Sequence, residues 1–277
     1  MTGADEGLAR AIVLREERRA VVEAARRVGV SPVFLKGAWA DPVLYGGRGK
    51  RLGGDIDILV AEEDFSAVSR ELLRRGYRAL TPPGFRATHA AARAWVFTSP
   101  TGPWQIDLHR MLLRPDFFAL RGAELLARAH TYESVDGPIL SLAPEDQIVY
   151  AAGHRAHHLF ASDMRQAEDC RRLIDAFAID WRQVGERAHR AHLFFALQWF
   201  AEELATAGAN LPAELQRLDT NAHRRQRLVC RLRDKAPAGG VGRTLYRLAA
   251  LAVLAGRPMA LPRFFMRWGW LRLNDRR

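Results

Sequence analysis

Asp55 and Asp57 stand two residues apart in Asp55-Ile-Asp-Ile-Leu-Val60. The run alternates like a strand, so both carboxylates leave one face while Ile56, Ile58 and Val60 turn to the other. Two carboxylates side by side repel each other unless a cation is shared between them. Oxygen ligands held this rigidly suit Mg²⁺, which takes one or two carboxylates and fills its shell with water and substrate phosphates. Asp107 repeats the pattern in Trp104-Gln-Ile-Asp-Leu-His109. There Ile106 and Leu108 point inward, while Gln105, Asp107 and His109 share the opposite face. Three carboxylates on neighbouring strands make a two-metal site that can clamp the attacking and leaving oxygens of an in-line phosphoryl displacement. An Asp-x-Asp at a strand end also serves as a turn or a surface edge, and the context decides between the two readings. Gly46, Gly47, Gly49, Gly53 and Gly54 form a loop with Arg48, Lys50 and Arg51 directly before Asp55. Lys36-Gly37 follows the preceding strand, so anion-binding groups gather at the edge that carries the acids.

The elements that must position these groups can be read from hydrophobic period and turn residues. Residues 9–27 read as an amphipathic helix with Gly29 as its stop. Pro32–Lys36 suits a short buried strand, Gly37–Leu44 a helix, and Asp55–Val60 a strand. Glu62–Arg75 has helical spacing, capped by Gly76. Tyr77–Leu80, Phe85–His89, Ala94–Thr98 and Gln105–His109 are strand-like pieces separated by Pro-Gly turns. From Pro144 the pattern becomes helical: Pro144–Phe160, Ser162–Phe177, Asp180–Ala191 and Leu193–Ala207. Pro144 suits a first helical turn, where Glu145 and Asp146 meet the positive end of the helix dipole. The last quarter reads as helical too, broken by Ala236-Pro-Ala-Gly-Gly240, Pro258 and Pro262. The expected class is therefore α+β, a mixed-sheet domain over residues 1–142 followed by an all-helical one over 143–277.

Composition bounds the rest. A chain of 277 residues with 48% hydrophobic content can bury one large core or two modest ones. Two cysteines, Cys170 and Cys230, exclude a cysteine-rich zinc scaffold and fit a reducing, cytoplasmic setting. Met1–Glu6 lacks the basic-then-apolar order of a signal peptide, and no apolar run approaches a membrane span. The formal charge is +11, but it is unevenly placed. Residues 216–277 carry 15 basic and 3 acidic residues, a net of +12, whereas the first 215 carry a net of −1. A segment this basic favours an anionic partner.

Several of these motifs resemble a known family. Phe34-Leu-Lys-Gly-Ala38, Tyr45, Arg51-Leu-Gly-Gly-Asp-Ile-Asp-Ile-Leu-Val60 and Ile106-Asp-Leu-His109 resemble, in order and spacing, the uncharacterised nucleotidyltransferase family of the polymerase-beta-like superfamily. Ala143-Pro-Glu-Asp-Gln147, His154, Asp169 and Ile179-Asp-Trp181 resemble its helical second half, so the resemblance spans residues 30–210. The superfamily's usual Gly-Ser or Gly-Gly pair is here Gly37-Ala38, preceded by Lys36, and 17 residues separate Gly37 from Asp55. The resemblance implies a polymerase-beta-like nucleotidyltransferase domain and transfer of a nucleoside monophosphate from an NTP, with ATP expected. It implies two Mg²⁺ ions, with Mn²⁺ as a substitute, held by Asp55, Asp57 and Asp107. Asp107 would also draw the proton from the acceptor hydroxyl. Gly37 would let the backbone approach the phosphates, Lys36 or Arg51 would supply positive charge, and Gly54 and His109 would complete the nucleotide site. Lys36 is equally a lysine ending a strand in solvent, and His109 a strand histidine bonded to a neighbour.

The acceptor is expected to be a small-molecule or peptide hydroxyl, because the near-neutral first 215 residues lack the basic stripe a polynucleotide requires. RNA is the alternative acceptor. It draws on the mixed cations and aromatics of Asn221–Lys235 and Arg263–Arg272, which equally suit a membrane surface or a packed helix. A catalytically silent nucleotide-binding or interaction module is the rival of another class. His154, His157 and His158, with Asp169, form a rival metal-hydrolase cluster, weighed against satisfied histidines on a helix face.

Overall fold

The computed structural model describes residues 3–51, 53–80, 93–161, 164–215, 220–237, 239–257 and 259–266. The chain forms two compact units, Met1–Leu112 with Arg121–Ala143, and Leu113–Leu120 with Pro144–Arg277.

The first unit is built on a seven-stranded sheet, flanked in sequence by helices. Helix α1 (Gly3–Arg27) buries Ala11, Leu14, Val21 and Ala25, which recur at helical spacing. It ends where Gly29 turns left-handed at φ 77° and Val30 N–H reaches back to the Ala25 carbonyl. Strand β1 (Val33–Phe34) leads directly into α2 (Lys36–Leu44). Strand β2 (Asp55–Leu59) is followed by α3 (Phe65–Arg74), then by β3 (Arg78–Ala79), β4 (Ala94–Thr98) and β5 (Gln105–His109). A short helix, α4 (Gly122–Ala127), precedes β6 (His130–Tyr132) and β7 (Ile139–Ser141). The strand order is β3-β4-β5-β2-β1-β7-β6. β2 runs parallel to β5, and β1 parallel to β7, while the other four pairings are antiparallel. The mixed sheet expected from sequence is therefore present. Strand β3 is shorter than the Tyr77–Leu80 reading, and the Phe85–His89 reading lies outside the described residues. β6 and β7, three residues each, are too short for a two-residue period to register in the sequence.

The second unit is helical among the described residues. Helices α5 (Pro144–His157), α6 (Arg165–Ala176) and α7 (Trp181–Arg190) pack on α8 (Phe194–Thr206). Ala196, Leu197 and Phe200 of α8 are fully buried, as a helix apolar on most sides must be. Asp180 caps α7 by accepting from the Gln183 N–H at 3.1 Å. Helices α9 (Thr220–Asp234) and α10 (Gly240–Ala255) form a pair that also contacts α8. Pro262 sits inside a helical stretch, 260–266, rather than breaking one. So near a helix start, the missing N–H removes no intrahelical bond. Leu113–Leu120 joins this unit because Gly153 of α5 leaves room for Leu113. A Cβ on Gly153 would lie 2.4 Å from the Leu113 side chain. Among the described residues no helix is long and apolar enough to cross a membrane.

Candidate active site

Parallel pairing of β2 with β5 sets Asp57 opposite Asp107 and Leu59 opposite His109. Ile56, Ile58, Ile106 and Leu108 fill the core on one face, so the polar residues are forced together on the other. That second face is covered as well, for Asp57 is only 1% exposed. A buried carboxylate needs hydrogen-bond donors, charged where possible. Asp57 Oδ1 receives two: Lys36 Nζ donates at 2.6 Å and His109 Nε2 donates at 2.9 Å. Burial alone would raise the Asp57 pKa. The His109 hydrogen bond and the Lys36 charge outweigh it and hold the carboxyl at about 2.

Asp107 is in the opposite state. Burial first, and the Asp57 charge second, push its carboxyl above the ordinary value. Its Oδ1 is buried without a hydrogen-bond partner among the described residues. Asp57, Asp107 and His109 each offer a ligand atom within 4.8 Å of the others, the one such group among the described residues. Two carboxylates, one with an orphaned buried oxygen, and an imidazole form a donor set that fits a hard or borderline divalent cation. Asp55 starts β2 opposite Gln105 and stands outside that group, although its charge also reaches Asp107. Its Oδ1 lies 2.6 Å from where a Cβ on Gly53 would stand, so Gly53 lets the Asp55 carboxylate fold back against the loop.

Lys36 sits at φ 48°, a left-handed conformation that costs an L-residue about 1–2 kcal/mol. This bend takes the chain from β1 into α2 with the ammonium on Asp57. Gly37 follows because no other residue fits. A Cβ there would stand 2.7 Å from the Arg51 carbonyl oxygen and 3.3 Å from Arg51 Nη1. Gly37 and Arg51 are therefore neighbours, as their joint assignment to phosphate binding requires. Gly54 faces open space, and its carbonyl accepts from Gln105 N–H at 3.3 Å, tying the loop to β5.

The loop itself depends on Asp41, which the sequence reading passed over. Asp41 is 1% exposed. Its carboxylate accepts from Arg51 N–H at 2.9 Å and Gly49 N–H at 3.3 Å, and its carbonyl accepts from Tyr45 and Gly47 N–H. Its sequence signal was an acid placed in an apolar helix just before Pro42.

The histidine cluster packs as a helix face. His154 Nδ1 lies 2.9 Å from Gln166 Oε1, and the His154 and His158 rings are 4.5 Å apart. His157 is buried, and these residues form no metal-binding group among those described.

The sequence profile of a family described as uncharacterised nucleotidyltransferase matches residues 6–205. No curated protein matches the chain. Among solved structures, the antibiotic-resistance factor ANT(2'')-Ia is similar at 15% identity and a TM-score of 0.46, covering 71% of this chain and 98% of its own. An antigenic nucleotidyltransferase-like protein from Paracoccidioides brasiliensis is similar at 12% identity and a TM-score of 0.43, covering 73% of this chain and 94% of its own. With 6–205 of 277 residues matched, the chain belongs to the uncharacterised nucleotidyltransferase family.

Proposed function

We propose that this nucleotidyltransferase moves a nucleoside monophosphate from an NTP, ATP first among them, to a hydroxyl of a small molecule or peptide. The observation that carries the reading is the in-register pair Asp57–Asp107, with its orphaned Asp107 oxygen beside a held Asp57. Asp55, Asp57 and Asp107 would hold the two Mg²⁺ ions, for which Mn²⁺ could substitute. When bound, such ions neutralise charge on the transferring phosphoryl group and on departing pyrophosphate.

The remaining work falls to the chain's own groups. Asp107 Oδ2 or Oδ1 accepts the proton as the acceptor oxygen attacks the α-phosphorus. A new O–P bond forms, the bond to the bridging oxygen breaks, and pyrophosphate leaves with that electron pair. A carboxyl held above its ordinary value is a better base than Asp57, held at about 2. His109 keeps Asp57 oriented through its Nε2–H. Lys36 holds Asp57 and stands beside Gly37, where backbone N–H groups can approach phosphate oxygens. Arg51 brings a fixed positive charge to the same place.

In this reading residues 1–142 are the catalytic domain, and 143–277 the helical substrate-binding domain with a basic C-terminal segment. The free cysteines Cys170 and Cys230 support a cytoplasmic setting. The test is pyrophosphate release and label transfer from α-³²P-labelled NTPs with Mg²⁺ and a panel of hydroxyl acceptors. Nucleotide binding without pyrophosphate release under any of these conditions would instead make the chain a silent binding module.

An RNA acceptor is the second reading. It is favoured by Arg224, Arg225, Arg227 and Arg231, all exposed on α9. RNA binding that falls steeply between about 50 and 200 mM salt, and is lost on deleting residues 263–277, would promote it.

A further inference from the structure

A pocket of about 390 Å³ lies wholly within the second unit, lined by the end of α7, the start of α8, and residues of α9 and α10. Its polar walls are His189, His192, Gln198, Asn221 and Arg225, and among the described residues no carboxylate lines it. We infer that this pocket binds a small anion built on a flat ring, with the anionic group on Arg225 and the ring on the His189–Phe194 wall.

Arg225 supplies the charge. Among the described residues no carboxylate pairs with it, and its guanidinium sits over the Phe195 ring at 5.8 Å. Gly256, the left-handed residue that ends α10 at φ 62°, lies beside the guanidinium. A guanidinium fixed by an aromatic ring, with its fork left to carboxylate or phosphate, is a preorganised anion site.

The ring wall is equally specific. His189 and Phe194 stack at 3.8 Å with their planes 16° apart. Their approach depends on the tight turn between α7 and α8, where His192 adopts φ 57°. His192 is the left-handed residue that ends α7, where Leu193 N–H reaches back to the Ala188 carbonyl at 2.7 Å. Gln198 and Asn221 then offer amide hydrogen bonds to the edge of a bound ring. The volume falls in the range of small-ligand pockets.

The assignment is independent of the reaction proposed above. It is tested on the full chain without metal, by calorimetric titration with phenyl phosphate and with its uncharged counterpart, benzyl alcohol. Phenyl phosphate should bind, benzyl alcohol should not, and Arg225→Gln should weaken phenyl phosphate by about tenfold or more. Phe194→Ala should weaken it as well, while Lys36→Ala should leave it unchanged. His189 and His192 ring-proton resonances should move on titration, which localises the ligand even if a variant folds poorly. Undiminished binding in Arg225→Gln, loss of binding in Lys36→Ala, or no binding up to about 10 mM would each overturn the assignment.

Discussion

The second unit hides Arg155 and Glu203 from water, and the first hides Asp57 and Asp107, but the two pairs are finished differently. Arg155, 3% exposed, donates through Nε and Nη2 to both Glu203 oxygens and through Nη1 to the Ala161 carbonyl. Each nitrogen of the fork donates, and one positive charge meets one negative charge. Around Asp57, Lys36 is the fixed cation and His109 a hydrogen-bond donor for two adjacent carboxylates, with the Asp55 charge also reaching Asp107, and Asp107 Oδ1 is left over. The closed pair adds to folding; the open group spends stability to keep negative charge and a bare oxygen in place. An acid excess with an orphaned atom, rather than a buried charge alone, distinguishes a site from scaffolding here.

That contrast can be broken experimentally. Asp107→Asn should lower kcat/KM by on the order of 10³-fold, because it would remove the proposed base and a proposed metal-binding oxygen together. Arg155→Ala should do the reverse. It leaves the part-buried Glu203 without its partner and should cost about 1–3 kcal/mol in urea unfolding, while turnover per folded molecule changes little.

The same Asp107→Asn protein, unfolded without divalent metal, should be as stable as the parent or more stable by up to about 1 kcal/mol. It loses the like-charge repulsion from Asp57 and Asp55 and an unpartnered oxygen, which together with burial outweigh the attraction of His109 and Lys36. A large destabilisation in that variant would mean that the acid group is scaffolding after all.

Acidification sharpens the point, because the two aspartates carry opposite signs. Asp107 is held above its ordinary 3.8, so its ionised form costs the folded state stability, and that cost fades as pH falls through its raised pKa towards 4. Asp57 is held at about 2, so its contribution stays intact down to about pH 4 and is lost only on approaching 2. Unfolding midpoints of the parent should therefore converge on those of Asp107→Asn over that range, while the gap to Asp57→Asn stays flat. The smallest effect belongs to the exposed Glu16–Arg19 pair, where Glu16→Gln should shift stability by less than about 0.5 kcal/mol.

Much of this was legible before any coordinates. The alternation around Asp55, Asp57 and Asp107 placed their strands, and Pro144 with two acids marked the start of α5 to the residue. Local patterns of this kind depend on neighbours within one element. What joins β2 to β5 does not: His109 and Asp57 are 52 residues apart, and only the parallel register brings them together. Lys36 therefore read as a strand-end lysine with a choice of roles, and its bond to Asp57 could not be foreseen. Asp55 read as the equal of Asp57, because a strand period cannot tell a carboxylate that points at its neighbour from one folded under Gly53. Asp41 went unread since its partners are backbone N–H groups, which every sequence supplies alike.

Asp41 also decides how this protein can be engineered. A surface loop with glycines at 46, 47 and 49 is where one would ordinarily insert a tag or fuse a reporter. Here four backbone N–H groups between positions 45 and 51 converge on a single buried residue. The spacing from Asp41 to each of them is as fixed as the bonds themselves. An added residue inside that interval would push Arg51 off Asp41 and away from Gly37. Composition would rank the glycine loop as a permissive address, and the hydrogen bonds overrule that ranking.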